Sequence, residues 1–209
     1  LFVRAELFAS LGGFDERFFM FYEDVDLGWR MNLRGWRVRY EPLSLTYHRH
    51  HASMTDVASA REYYLLERNA LAALYKNVSD ETLAKTLPAA MALAIRRATA
   101  RGDIDPTQLE MTRRPEGEDP ADVTIDRSAL AGTLALDQFV ELLPSLKESR
   151  AVEQAARVRT DTDLVGLMRK AMEPAYPLPR YLAAHEPLVE AFELDEVYGR
   201  ARKVAILTG

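Results

Sequence analysis

The sequence predicts an α/β chain that is predominantly α-helical. Apolar residues recur at helical spacing through most of the chain beyond residue 59, which indicates a series of packed helices. Between residues 36 and 47 apolar and polar residues alternate instead, a pattern typical of half-buried strands. A chain of 209 residues with 48% hydrophobic content can bury one sizeable core, or one core and a smaller satellite, so we expect one or two domains.

Composition excludes several classes of function. The 32 acidic and 27 basic residues give a net charge of −5, which argues against a nucleic-acid-binding protein that depends on a positive field. Cysteine is absent, so disulfides, thiolate nucleophiles and sulfur-bound zinc are excluded. No apolar run reaches the roughly 20 residues that span a bilayer, and the first residues lack the pattern of a signal peptide. We therefore expect a cytoplasmic protein, with peripheral contact at the inner face of the membrane as the only form of membrane association.

Two short helices are predicted near the start of the chain. The first spans residues 4–11 and ends at Gly12, and the second spans residues 24–34 and ends at Gly35. Glycine suits both ends because it adopts the left-handed backbone conformation that closes a helix. Gly13 extends the first stop into a tight turn, a geometry that also lets a backbone approach a ligand closely.

An acidic cluster directly follows a run of large apolar residues. Glu23, Asp24 and Asp26 come immediately after residues 18–22, FFMFY. Apolar neighbours that exclude water raise the pKa of a carboxyl group and strengthen its electrostatics, which suits a general base. The same acids also suit the first turn of a helix, where they offset the helix dipole, and the two interpretations are compatible. Asp26 and Arg30 lie one turn apart, so we predict that they pair and that Arg30 holds the acids in register.

Two short strands are predicted after the second helix, at residues 36–40 and 43–47, with Pro42 between them because proline cannot donate to a sheet ladder. His48 would then lie at the polar end of the second strand. Three of the four histidines of the chain fall at positions 48, 50 and 51. For the last two the simpler interpretation is a surface or hydrogen-bonded residue, whereas we expect His48 to face the same cleft as a water-shielded Asp24.

Helices dominate the rest of the chain. Ser59 and Glu62 form a predicted capping box for a helix over residues 60–76, and Ser79 is the predicted cap of a helix that reaches Arg101, with a kink or break at Pro88. An exposed loop is predicted at residues 103–126, rich in Asp, Glu, Pro and Gly. Further helices are predicted at residues 130–143, 145–158, 164–172 and 181–192. The basic and then apolar residues 200–209 indicate a linker and a buried strand.

Several motifs in the first quarter of the chain occur together in one family. They are GGFDE at residues 12–16, EDVDLGWR at 23–30, GW at 35–36, Pro42 and His48. This combination resembles the C-terminal half of the catalytic domain of family 2 inverting glycosyltransferases, and is most similar to rhamnosyltransferase-like and galactofuranosyltransferase-like bacterial enzymes. Two further resemblances are shorter: YYLLERN at 63–69 is similar to the helix that often follows in this family, and KVAILTG at 203–209 is similar to the opening strand of a GT-B glycosyltransferase domain.

The resemblance implies a fold and a division of the chain. The fold class is α/β and predominantly α, the C-terminal half of a GT-A (Rossmann-like) domain followed by a helical region. Residues 1–54 would form the acceptor side of the catalytic domain, residues 55–199 the helical region, and residues 200–209 a linker with a first strand of a following domain. In the family the nucleotide-binding half with its Asp-x-Asp motif lies upstream, so we expect this chain alone to be inactive.

The resemblance also implies roles for individual residues. Asp24 occupies the position of the catalytic base, and His48 that of a ligand to Mn²⁺ or Mg²⁺, with imidazole favouring Mn²⁺. The implied acceptor-binding or orienting residues are Glu23, Asp26, Arg30, Gly12 and Gly13. The implied partners are a nucleotide-sugar donor, bound through the upstream half, and a glycan or lipid-linked acceptor, with no nucleic acid. Cell-envelope polysaccharide synthesis is the process in which such enzymes are expected.

Two alternatives belong to other classes of protein. A metal-dependent hydrolase could use His48, His50 and His51 with Asp24 or Asp26, because histidine and carboxylate ligands suffice for zinc. A noncatalytic helical interaction module is favoured by the long helical region, which carries no active-site spacing. The hydrolase requires three of those side chains to converge on one ion, and a pure scaffold has no need of the acid and aromatic cluster.

Overall fold

A computed structural model describes residues 2–47, 59–102, 126–167 and 179–198 of the chain. The described part is helical, with one 3-10 turn at Glu16–Phe18. The helices are α1 Ala5–Ser10, α2 Glu23–Leu33, α3 Ser59–Asn77, α4 Asp80–Arg101, α5 Arg127–Ala155, α6 Asp161–Val165 and α7 Pro179–Ala191. None of these helices has the length and apolar character of a membrane span.

The N-terminal helices end at glycines, as the sequence predicts. Gly12 and Gly13 have φ angles of 75° and 72°, and their amides donate to the carbonyls of Ala9 and Phe8. This crossed pair of hydrogen bonds is a Schellman motif, which satisfies the last carbonyls of a helix. Gly35, with φ 87°, closes α2 in the same way. Both N-terminal helices therefore end in the same glycine-dependent motif.

The main core lies between α3, α5 and the turn that precedes α2. Helix α3 packs chiefly against α5, which also packs against α4. Phe18, from the 3-10 turn, is 1% exposed and belongs to the same buried cluster as Leu71 of α3 and Phe139 and Leu146 of α5. A smaller cluster, Leu11, Leu27 and Met31, joins α1 to α2. The N-terminal segment is therefore packed onto the helical region by a shared core.

The two predicted strands do not form. Within the described part of the chain no residue is in a strand, and residues 37–47 are exposed coil with a turn at Pro42. Leu43 and Tyr47, predicted to alternate on a half-buried face, are 88% and 97% exposed. A strand needs a neighbour to receive its backbone hydrogen bonds, and a lone two-stranded hairpin is marginally stable in water. The described residues supply no third strand, so the alternating pattern alone does not produce a sheet.

Several of the predicted helices are confirmed. The helices predicted at 60–76 and 181–192 correspond to α3 and α7. Ser79 caps α4 by accepting a hydrogen bond from the amide of Thr82, as predicted. Helix α4 continues through Pro88, and α5 is one helix of 29 residues that continues through Pro144, where the sequence predicts two. The predicted loop at 103–126 and the predicted strand at 200–209 lie outside the described residues, except for Asp126.

Candidate functional site

Asp24 and Asp26 lie on different faces of α2. Two positions correspond to a rotation of about 200° around a helix, so neighbours at this spacing point in nearly opposite directions. Asp24 is exposed, and its Oδ1 accepts a hydrogen bond of 2.8 Å from the amide of Val25. The prediction of a water-shielded Asp24 is therefore wrong. The apolar residues before it do not cover it, because the loop that carries them turns Phe18 into the core and leaves Phe19 80% exposed.

Asp26 is the centre of a buried polar network. Its Oδ2 accepts hydrogen bonds of 2.8 Å from Arg30 Nε and from Lys76 Nζ, and its Oδ1 accepts one of 2.9 Å from Asn77 Nδ2. The predicted pairing of Asp26 with Arg30 is thus present. Both carboxylate oxygens are satisfied, which a buried charge requires if it is not to destabilise the fold.

Arg30 joins α2 to the glycine turn. Its two terminal nitrogens donate to the carbonyls of Leu11, at 2.7 Å, and Gly13, at 2.9 Å. These contacts bring three of the predicted site residues, Gly12, Gly13 and Arg30, to one cleft of about 230 Å³. Its other lining residues are Leu11, Asp15, Arg17, Lys76, Ser149, Val152 and Glu153.

Asp15 extends the network toward α3 and α5. Its Oδ2 lies 2.7 Å from Lys76 Nζ, and both of its oxygens accept from Arg17, whose Nη1 also donates to the carbonyl of Ser145 in α5. Burial by itself would raise the pKa of Asp15, but the hydrogen bonds from Arg17 and Lys76 outweigh it and hold the pKa well below its usual range. Asp15 is therefore a carboxylate at neutral pH.

Residues 23–30, EDVDLGWR, are the acid motif, and the loop of residues 18–22 that precedes it is strained. Phe19, Phe21 and Tyr22 have φ angles of 58°, 66° and 67°, in the left-handed region that side chains larger than glycine rarely adopt. The amide of Met20 donates to the carbonyl of Phe18 at 2.6 Å, which places Phe19 at the centre of a γ-turn. Each such backbone conformation costs on the order of 1–3 kcal/mol and persists only where neighbouring groups enforce it.

Two consecutive residues of α3 enforce this conformation. The Nδ2 of Asn69 lies 2.9 Å from the carbonyl oxygen of Phe18 and 2.8 Å from those of Met20 and Phe21. Arg68 Nη2 donates to the carbonyls of Arg17 and Phe18, and Arg68 Nε donates to Asn69 Oδ1 at 2.9 Å. The last bond turns the donating end of the Asn69 amide toward the loop. We call residues 18–22 the aromatic loop.

Comparison with known proteins gives partial matches to sugar-transferring enzymes. The chain is 47% identical over 60 residues to an N-acetylglucosaminyl-diphospho-decaprenol L-rhamnosyltransferase of Mycobacterium tuberculosis, a match that covers 28% of this chain and 20% of that protein. It is 39% identical over 61 residues to a pre-mycofactocin glycosyltransferase of the same species, covering 29% of this chain and 13% of the relative. An O-antigen biosynthesis protein, RfbC, of Myxococcus xanthus is 42% identical over 64 residues, 30% of this chain and 5% of the relative.

These matches support a relationship to glycosyltransferases over less than a third of the chain. The chain spans a fifth or less of the length of these relatives. No family model matches the chain, and no solved structure matches it. The GT-A fold predicted from the motifs is therefore not established by the comparisons or by the described helices.

The metal-binding prediction falls largely outside the described residues. His48, the predicted metal ligand, and His50 and His51, which the hydrolase alternative also uses, lie outside the described residues. Among residues 2–47, 59–102, 126–167 and 179–198, no three histidine or acidic side chains are grouped so that they could hold a metal ion.

Glu23 differs from both Asp24, which is exposed, and Asp26, which is buried and fully hydrogen-bonded. The Glu23 side chain is partly buried, and its Oε2 atom is buried without a hydrogen-bond partner among the described residues. Glu23 begins α2, directly after Tyr22, so its position depends on the aromatic loop. The predicted roles of Glu23, Asp26, Arg30, Gly12 and Gly13 in acceptor binding remain predictions.

Sequence reasoning missed the α3 side of the site. Asn69, Lys76 and Asn77 are all at most 2% exposed and all contact the loop or the acid motif. They recur at spacings of seven and eight residues, which place them on one face of a helix. Polar residues at helical spacing on an otherwise apolar face were the signal that could have found them. Buried polar groups must have partners, so such residues predict polar contacts with another segment of the chain.

Proposed function

We propose that this chain is a segment of an inverting glycosyltransferase of family 2 with a GT-A catalytic domain, which transfers a sugar from a nucleotide-sugar donor to a glycan or lipid-linked acceptor. The single observation that carries the proposal is the 47% identity over 60 residues to a bacterial rhamnosyltransferase. The names of the rhamnosyltransferase and of the O-antigen biosynthesis protein favour a role in the synthesis of cell-envelope polysaccharide.

In this proposal Asp24 is the general base. Its carboxylate takes the proton of an acceptor hydroxyl while that oxygen forms a bond to the anomeric carbon of the donor sugar. The bond from that carbon to the nucleoside diphosphate breaks on the opposite face, and the electron pair leaves with the diphosphate, so the configuration at the carbon inverts. The exposure of Asp24 supports this role, because a substrate can reach its carboxylate from solvent.

The other residues of the acid motif would hold and surround this base. Asp26 is fixed by Arg30, Lys76 and Asn77, and it anchors the first turn of α2 on which Asp24 stands. We propose that Glu23 contacts the acceptor, and that Gly12, Gly13, Asp26 and Arg30 orient the acceptor side of the site. A divalent cation, Mn²⁺ or Mg²⁺, would neutralise charge on the leaving diphosphate, with His48 as one ligand.

The direct test exchanges Asp24 for Asn in a polypeptide that also contains the donor-binding half. Loss of a general base lowers a rate by about 10²- to 10⁴-fold, so we expect the rate of sugar transfer to fall by that factor while donor binding is unchanged. The control is Glu81→Gln, which neutralises an exposed acid in the first turn of α4 and should leave transfer unchanged. Full transfer by the Asp24→Asn variant would overturn the proposal.

A second measurement tests the division of labour between the two halves. We propose that donor binding requires residues outside this sequence. Calorimetric titration of the 209-residue chain with nucleotide sugars and Mn²⁺ should therefore show no tight binding. Tight binding by the isolated chain would contradict the assignment of this segment to the acceptor side.

A further inference from the structure

We propose that Arg68 and Asn69 are positioning residues for the acid motif. In this inference, which rests on the proposed function, their side chains force the aromatic loop into its left-handed path and thereby set the direction in which α2 begins. Asp24 is the second residue of α2, so the place of its carboxylate follows from that direction. The two residues act through the loop and need not touch a substrate.

Phe18 and Tyr22, at the two ends of the aromatic loop, pack in or against the main core, and the backbone between them is bound by Asn69. Tyr22 is the N-cap residue of α2, and its side chain makes no capping hydrogen bond. Phe19, at the centre of the γ-turn, is 80% exposed and so gains little from packing. The carbonyls of Phe18, Met20 and Phe21 all meet the single Asn69 amide. Removing that amide therefore takes three hydrogen bonds from a strained backbone.

Helix α3 fixes the acid motif from both sides. Asn69 holds the loop before Glu23, and Lys76 and Asn77 hold Asp26 just after Asp24. Positions 69 and 76 are seven residues apart, a rise of about 10 Å along the helix. One rigid helix therefore presents both anchors at a fixed separation, and Asp24 lies between the two anchored points. The backbone of Asp24 is thereby held in place by α3, although no contact from α3 to the Asp24 side chain is needed.

The alternative is that these hydrogen bonds serve stability alone. A structural role lowers the free energy of unfolding but leaves the turnover number of the folded fraction unchanged. A positioning role lowers the turnover number of protein that is still folded, because a displacement of about 1 Å of a catalytic group can cost as much as 10²-fold in rate. The KM for the nucleotide sugar should stay the same, since donor binding is assigned to another half.

The experiment compares Asn69→Ala with a matched control in the polypeptide that contains both halves. Below the unfolding temperature of each variant, we expect kcat to fall about 10- to 100-fold for Asn69→Ala with the donor KM unchanged. The control is Arg34→Ala, which removes the ion pair with Glu153 of α5 from the other end of α2 and should lower stability but not kcat. Should Asn69→Ala fail to fold, Arg68→Ala, which alters a partly buried side chain, takes its place with the same expectation.

A second substitution that restores kcat distinguishes the positioning role of Asn69 from a purely stabilising role. Phe19→Gly removes the cost of a positive φ at the γ-turn, because glycine adopts that region freely. In the Asn69→Ala background this second change should restore part of kcat. A kcat that equals that of Arg34→Ala, or one that Phe19→Gly leaves unrestored, would overturn the inference. If Asp24→Asn abolishes transfer while Asn69→Ala does not affect it, only this inference fails; if Asp24→Asn transfers normally, the proposed function fails first.

Discussion

Two neighbouring stretches of this chain carry equally regular sequence patterns, but only one of them forms the predicted secondary structure. Residues 18–30 contain the aromatic loop and the acid motif, and α3 contacts them at Asn69, Lys76 and Asn77. Residues 36–47 alternate apolar and polar side chains, yet they are exposed coil. The first stretch has polar partners on a packed helix, and the second has no neighbouring strand among the described residues.

The comparison teaches that a local pattern specifies structure only where a partner exists. A helix satisfies its backbone hydrogen bonds within itself, so the bounds of α2 can be predicted from its own sequence and its glycine stop. A strand depends on another strand for the same bonds. The aromatic loop also depends on a partner. Its backbone conformation is unfavourable until Arg68 and Asn69 donate hydrogen bonds to its carbonyls.

The largest contrast should come from removing one acid in each stretch. Asp26→Ala leaves Lys76 and Arg30 buried with one counter-charge fewer, and breaking a buried pair in this way costs about 3–5 kcal/mol. Glu41→Ala, in the exposed stretch, should change the free energy of unfolding by less than about 0.5 kcal/mol. Urea unfolding of this chain measures both values. Equal effects would mean that the network around Asp26 does not support the fold.

An intermediate contrast concerns acid stability. The pKa of Asp15 is lower in the folded chain than in the unfolded chain, so its contribution to stability is complete above about pH 4 and is lost as the pH falls through the folded-state value. Asp15→Asn should lower stability at neutral pH and flatten its decline below about pH 4. The measurement is the urea midpoint as a function of pH. Glu41→Gln, the control in the exposed stretch, should leave the profile as steep as that of the native chain.

The smallest effect should come from the predicted strands. Leu45 is 79% exposed, so Leu45→Ser removes little buried apolar surface and should change the free energy of unfolding by less than about 0.5 kcal/mol. A loss of 2 kcal/mol or more, the cost of truncating a buried leucine, would show that residues 36–47 are packed in solution. In a polypeptide that supplies neighbouring strands we expect the same substitution to be more costly.

Much of the local structure follows from the sequence alone. The positions of α2, α3 and α4, the glycine stop of α2, the Ser79 cap of α4 and the pairing of Asp26 with Arg30 depend on spacing within a few residues. Helical periodicity and capping are properties of consecutive residues, so no distant contact is needed to predict them. The motifs at residues 12–16 and 23–30 likewise pointed to glycosyltransferases, and the partial matches to named glycosyltransferases support that relationship.

Only the tertiary structure decided which acid of the motif is exposed and what supports it. The sequence places Glu23, Asp24 and Asp26 together, but the burial of Asp26 and the exposure of Asp24 depend on where α3 packs. The contacts between the aromatic loop and Asn69 join residues about fifty positions apart, a separation that local propensity does not encode. The strained φ angles of Phe19, Phe21 and Tyr22 are likewise unfavourable by themselves, and they exist because a distant amide compensates their cost.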